Sequence, residues 1–273
     1  MIQIASYGPW AVVTGASSGI GEAFANQLAA SGLNLVLAAR SGDKLEALGA
    51  TLSAKHGISY RVVAVDLSLP EAAAALIEAT EGLDVGFLVS NAGTGVPGRF
   101  LDQDIADLRR RMILNAGSHL ELIHAFGRRF VARGRGGMVL VSALGAAHGI
   151  PNMAQDSSAK GYLLHLGETL HHELARDGVA VLVVMPGNVD TPIIDALGFA
   201  RTDLPIRPQP VEGAVREMIT AFLKGRPTLI PGRMMRMMVR LMPRSQSIKM
   251  NGRMLGKAAD NIAERARVQA QAG

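Results

Sequence analysis

Cysteine is absent from the 273 residues. That excludes a disulfide framework, a thiolate zinc site, an iron–sulfur cluster and a cysteine nucleophile. Aromatic residues make up only 4%, and none lies in the basic C-terminal stretch to offer a stacking platform, so nucleic acid is not an expected partner. No apolar run is long enough to cross a bilayer as a helix. Residues 1–10 lack the basic start and apolar run of a secretory signal, so the expectation is a cytoplasmic protein. Charged residues are few, 19% against 48% hydrophobic. That balance excludes disorder, and a chain of this length can bury a core without staples.

What charge there is sits unevenly. The net charge is +5, yet residues 233–273 carry nine Lys/Arg against two acids, while the remainder carries nineteen against twenty-one. Seven of the thirteen methionines lie in the same stretch. Arg233, Arg236, Arg240 and Arg244 recur at three- and four-residue spacing, which gathers them near one helical face. Met234, Met238, Leu241 and Met242 fall elsewhere on the wheel. The plainest reading is a helix docked on its own domain with arginines in solvent. The same pattern suits peripheral contact of 233–244 with an anionic membrane, a flexible lid or a subunit contact.

Short apolar runs at 11–14, 34–39, 60–66, 86–91, 137–142, 180–185 and 228–230 read as strands. Their near-continuous apolar character suits strands buried on both faces. Helical stretches lie between them at 19–31, 43–56, 70–80, 104–133, 156–177 and 211–224. Seven strands alternating with helices predict one parallel, doubly wound α/β sheet. Ligands of such sheets bind beyond the carboxyl ends of the strands.

The first strand runs into Thr14-Gly-Ala-Ser-Ser-Gly-Ile-Gly21, and a helix follows. Gly15 permits a sharp turn, and Gly19 and Gly21 lack a Cβ that would block an approaching pyrophosphate. The helix behind offers free N–H groups and the positive end of its dipole. The loop resembles the TGxxxGxG motif of the short-chain dehydrogenase/reductase family. Other residues extend the resemblance in the same order: Asp66 and Leu67 after the third strand, Asn91-Ala92-Gly93 after the fourth, Asn115 in a helix, Ser142 after the fifth strand, Lys160 in the next helix, and Pro186-Gly187-Asn-Val189-Asp-Thr191. It covers roughly residues 10–230.

The resemblance implies a Rossmann-type, three-layer single domain over 1–232; the charge and methionine pattern of 233–273 reads as a basic, methionine-rich helical extension. The resemblance also implies a nicotinamide cofactor held by Gly15, Ser17, Ser18, Gly19, Ile20, Arg40, Asp66, Leu67, Asn91, Ala92, Gly93, Lys160, Pro186, Gly187, Val189 and Thr191. A carboxylate at the end of the second strand would favour NAD(H). This chain has Ala38-Ala-Arg40-Ser41 there, and a guanidinium can pair with a 2′-phosphate, so NADP(H) is expected over NAD(H). Relatives commonly form dimers or tetramers through the helices carrying Asn115 and Lys160, which implies a homodimer or homotetramer.

In the family a tyrosine four residues before the lysine moves the substrate proton. Here that position is Asp156, within Gln155-Asp-Ser-Ser-Ala-Lys160. Tyr162, two residues past Lys160, turns to another helix face. Asp156 and Lys160 at i and i+4 share a face in the favourable order. The ammonium pulls the Asp156 pKa down and burial pushes it up. The catalytic expectation is Asn115, Ser142, Asp156 and Lys160, with Asp156 as base or cation stabiliser. Three readings follow: reduction of a C=C, C=N or C=O bond with altered proton chemistry, non-redox acid–base catalysis (isomerisation, dehydration or ring closure), or a non-catalytic nucleotide-binding protein.

A loop at about 191–207 is expected to cover the substrate, and its Ile193, Ile194, Leu197 and Phe199 suggest an apolar or bulky small molecule unless they pack among themselves. His148 suits proton donation near neutrality, although an exposed loop histidine is the plainer reading. No metal site is expected, since neighbours such as His171 and His172 on a helix point apart. Ser142 lacks the GxSxG elbow of a hydrolase.

Overall fold

The computed structural model describes residues 4–204 and 206–272. Residues 1–3 of the expected core, Pro205 of the expected substrate loop and Gly273 of the extension lie outside the described residues. Seven strands form one parallel sheet: β1 (Trp10–Thr14), β2 (Asn34–Ala39), β3 (Tyr60–Ala64), β4 (Val85–Ser90), β5 (Gly136–Val141), β6 (Val179–Val184) and β7 (Thr228–Leu229). Valine, leucine and glycine, with Phe87 and Met138, fill β4 and β5, which are buried throughout, as strands covered on both faces must be.

The order is β3-β2-β1-β4-β5-β6-β7. The chain builds outward from β1, then returns to lay β4 on its other side. The direction of winding therefore reverses between β1 and β4, which opens a crevice at their carboxyl ends. Thr14 and Ser90 end these two strands.

Helices cover both faces. On one side α1 (Gly19–Ala30), α2 (Gly42–His56) and α8 (Val211–Leu223) bury Phe24, Leu28, Leu45, Met218 and Phe222. On the other, α3 (Ala72–Glu78), α5 (Ser118–Arg133) and α6 (Ala154–Glu173) bury Leu76, Phe126, Phe130 and Leu163. The helix expected over 104–133 is interrupted. Asp104 caps α4 (Ile105–Met112) by accepting from the Ala106 and Asp107 N–H groups at 2.7 and 3.2 Å. One turn of π-helix, Ile113–Gly117, then separates α4 from α5. Such a turn holds one extra residue, which hydrophobic periodicity does not register.

Residues 191–207, expected from the sequence to cover the substrate, contain α7 (Ile193–Ala196), and the C-terminal stretch forms α9 (Arg233–Leu241) and α10 (Arg244–Ala272). Pro243 separates α9 from α10, with Met242 extended before it, as a residue preceding proline prefers. Leu255 and Ala258 of α10 pack on Ile194 and Phe199, with Ile150, Met153, Leu197 and Met254 around them. This corrects one argument from the sequence. Ile194, Leu197 and Phe199 are apolar because α10 covers them, so they are not a signature of an apolar substrate; Ile193 stays exposed. Among the described residues, no helix is long and apolar enough to cross a membrane.

Candidate functional site

The crevice begins at Thr14. Its hydroxyl oxygen accepts from the Asn91 and Ala92 N–H groups at 2.8 and 3.0 Å, and Asn91 Nδ2 donates to the Thr14 carbonyl at 2.9 Å. The end of β4 is thereby pinned to the start of the glycine loop. Gly15 and Gly19 hold φ of +65° and +59°, a region that side-chain-bearing residues rarely enter. Ser17 and Ile20 are half-buried, and Ser18 at the α1 N-cap is exposed and makes no side-chain capping bond. A Cβ on Gly19 would stand 3.1 Å from Thr191 Cγ2, so the glycine loop meets the segment following β6. In that segment the Thr191 hydroxyl donates to the Val189 carbonyl at 3.3 Å, and Pro186 accepts from the Leu144 N–H at 3.0 Å. Gly187 is approached by Leu144 and by Met235 of α9.

Arg40 is exposed just past β2. Burial pushes the Asp66 carboxyl up, but hydrogen bonds from Ser68 and the charges of Arg40 and Arg110 leave it below its ordinary value. Arg40 and Asp66 thus neighbour one another at the adjacent ends of β2 and β3. Leu67 buries its side chain in the core, leaving only its main chain to offer a ligand. A bound nicotinamide dinucleotide suits these residues: a glycine cradle at a helix start, a cation and an anion at the neighbouring strand ends, and a buried ammonium deeper in the crevice.

That ammonium is Lys160, on α6. Its Nζ donates to the Val141 carbonyl at 3.0 Å, and a Cβ on Gly93 would lie 2.9 Å from it. Burial pulls its pKa down to about 8, against the attraction of Asp156. Asn115, carried inward on the π turn, binds the Thr94 main chain twice. Its Oδ1 accepts from the N–H at 3.0 Å, and its Nδ2 donates to the carbonyl at 2.9 Å. The Ser142 hydroxyl donates to the Lys160 carbonyl at 2.8 Å, so in this rotamer its oxygen can only accept from a ligand.

Asp156 sits beside them, 4% exposed. The i,i+4 pairing with Lys160 expected from the sequence is replaced by another. Asp156 Oδ1 lies 3.3 Å from both Arg111 Nε and Asn115 Nδ2, and Oδ2 accepts from the Val96 N–H at 3.1 Å. Lys160 instead binds the Val141 carbonyl and acts on Asp156 by charge alone. Burial dominates the Asp156 titration and raises its pKa, although the Val96 N–H, Arg111 and Lys160 all oppose it. The balance that the sequence leaves open therefore falls on the side of burial.

Arg111 was not singled out from the sequence. It is buried, donates to Gln103 Oε1 through a short hydrogen bond, and its Nε, although close to Asp156, has no hydrogen-bonding geometry to any partner among the described residues. The readable signal is spacing: Arg111 precedes Asn115 by four residues as Asp156 precedes Lys160. His119 is a second omission. Its Nε2 faces the Ala92 carbonyl at 2.9 Å, so it carries the proton there, and Nδ1 then accepts from the Ser90 hydroxyl at 2.7 Å. Burial and then Lys160 push its pKa down to about 3. His148 is held by the tail, its Nε2 lying 2.8 Å from Ser247 Oγ on α10. Tyr162 is 40% exposed. Among the described residues, no cluster of three potential metal ligands occurs.

Comparison with known proteins agrees with this geometry. The family described as short chain dehydrogenase matches residues 9–200. A 7β-hydroxysteroid dehydrogenase of Collinsella aerofaciens is 32% identical over 68% of this chain and 71% of its own. A human protein named inactive hydroxysteroid dehydrogenase-like protein 1 is 32% identical over 69% and 58%. Among solved structures, a 7β-hydroxysteroid dehydrogenase superposes with a TM-score of 0.83 at 28% identity, covering 94% of this chain and all of that one. A short-chain dehydrogenase from Sphingobium yanoikuyae in complex with NADPH gives 0.78 at 28% identity, over 87% and 98%. With its glycine cradle, its switch-point crevice and its buried lysine, the chain belongs to the short-chain dehydrogenase/reductase family, a family of nicotinamide-cofactor oxidoreductases.

Proposed function

We propose that this chain is an NADP(H)-dependent oxidoreductase that reduces a C=C, C=N or C=O bond of an apolar or bulky small molecule, using a carboxyl group where relatives use a phenol. The observation that carries the reading is the meeting of Asp156, Asn115 and Lys160 at the crevice beside an otherwise complete nucleotide cradle. Arg40 at the end of β2, with no carboxylate in the ribose position there, supports NADP(H), as does the NADPH-bound relative. The steroid named for the Collinsella relative supports a bulky apolar substrate.

In this proposal Gly15, Ser17, Ser18, Gly19 and Ile20 hold the pyrophosphate. Arg40 holds the 2′-phosphate, Asp66 and Leu67 the adenine, and Asn91, Ala92, Gly93 and Lys160 the ribose. Pro186, Gly187, Val189 and Thr191 flank the nicotinamide, which supplies the hydride when bound. Asp156 serves as base or cation stabiliser, and its raised pKa lets it carry a proton closer to neutrality than an exposed aspartate would. Asn115 orients the carboxyl, and Ser142 accepts from a ligand donor. The protein is proposed to work in the cytoplasm.

The deciding experiment is NADPH oxidation by the intact protein against matched ketones, conjugated enones and cyclic imines. Turnover of at least one class, abolished in Asp156→Asn while NADPH still binds, upholds the reading; turnover unaffected by that substitution removes Asp156 from the chemistry. A second reading, a non-redox or non-catalytic member, is favoured by one observation: Val96, Asn115 and Arg111 already surround both Asp156 oxygens. NADPH binding without turnover of any substrate class would select it.

A further inference from the structure

The contact between α9 and the body decides which way this helix faces. Met235 is buried against Gly187. Arg236 pairs with Glu217 and donates to the Ile230 carbonyl at 2.7 Å, and Glu217 also accepts from the Gly232 N–H at 2.9 Å. With Met235 and Arg236 fixed inward, Met234, Met237 and Leu241 are left outward, 61%, 60% and 74% exposed. Their spacing of three and four residues makes them one apolar stripe. Arg233 and Arg240, seven residues apart, run along its edge, and Arg244 follows at the start of α10; all three are exposed. Among the described residues none of the three takes part in an ion pair.

We infer that α9 docks the protein on an anionic lipid surface, with Met234, Met237 and Leu241 entering the headgroup boundary and Arg233, Arg240 and Arg244 meeting lipid phosphates. An apolar stripe bordered by cations is the arrangement that holds a helix in the plane of an interface, and long arginine stems let the charge stay at headgroup level while the stripe sinks. The charge argues for lipid over a second copy of the chain. A two-fold contact through this stripe would bring the same arginines of both copies together, whereas an anionic surface attracts each of them. The stripe also adjoins a cleft of about 610 Å³ that runs from Arg233 and Met234 to Asn188 and Ile206, beside the segment that follows β6. Docking would therefore place the proposed nicotinamide end of the crevice near the bilayer, where an apolar substrate dissolves. The docking itself does not depend on the reaction, and its test uses no turnover.

The test is co-sedimentation of the full chain with phosphatidylcholine vesicles with and without phosphatidylglycerol, at low and high salt. The expected result is partition onto the anionic vesicles only, weakened by salt. The triple variant Met234→Ser, Met237→Ser, Leu241→Ser and the double variant Arg233→Glu, Arg240→Glu should each lower the partition coefficient by about tenfold or more. Unchanged NADPH binding in both variants shows that the fold persists. Absence of partition by the intact chain, or partition that neither variant reduces, overturns the proposal. So does a concentration-dependent dimer that the triple serine variant abolishes, which would make a second copy the occupant.

Discussion

Arg111 and Asp156 form the least ordinary pair of side chains in the molecule. Both are buried, and two charges removed from water hold together only through each other and through added hydrogen bonds. Arg111 lowers a pKa that burial raises. Arg111→Met should therefore move the acid limb of the kcat/KM profile to higher pH and cost about 3–5 kcal/mol of stability, as loss of one partner of a buried pair does. A pH–rate series and guanidinium unfolding check the two effects. His119 gives a second prediction. An unfolded chain protonates this histidine below about pH 6.5, its ordinary value, while the folded protein takes the proton only at about 3. Stability should fall as pH drops through that window, by up to about 1.4 kcal/mol per pH unit. Unfolding at pH 7 and pH 5 should show the drop, and His119→Gln should lessen it; an equal drop in the variant would assign it to other groups.

Among the elements, α10 is where sequence and structure diverge most usefully. The extension lies against Ile194 and Phe199 through Leu255 and Ala258, ties Asn152 to the Gly252 carbonyl at 3.2 Å, and holds His148 through Ser247. Truncating a buried leucine costs about 2–5 kcal/mol, here charged to the docking of one helix. Leu255→Ala should speed limited proteolysis in the region of 191–207 while NADPH binding changes little, and peptide mapping of the cleavage sites checks it. A helical extension over 233–273, undivided at Pro243, is readable in the sequence. Its resting place is not, because a methionine-rich, weakly patterned helix does not name the surface it packs on. The π turn at Asn115 is hidden for a related reason: one inserted residue alters which side chain faces inward without disturbing the apolar average of the segment.

At the scale of the whole molecule, α5 and α6 leave an apolar groove of about 440 Å³ between Leu120, Ile123, Val131, Leu166, Leu170 and Leu174. We propose that a second copy covers this groove, as the family resemblance leads one to expect. Light scattering should give the mass of a dimer or tetramer, and Leu120→Glu with Leu170→Glu should reduce it to a monomer. A monomeric mass for the unaltered chain would refute this.

The order of strands and helices along the chain, the glycine cradle and the spacing of Asp156 from Lys160 were all determined by the sequence. Each is local: apolar runs, a turn that only glycine fits, and residues at a set distance along the chain. Which partner Asp156 takes, how its pKa balance falls, where Ser142 donates and what covers Ile194 and Phe199 were decided only in three dimensions. Those outcomes depend on burial and on groups brought together from distant parts of the chain. Arg111 and Asp156 stand 45 residues apart in sequence and 3.3 Å apart in the fold, and desolvation acts on the pair only once the chain has closed around it.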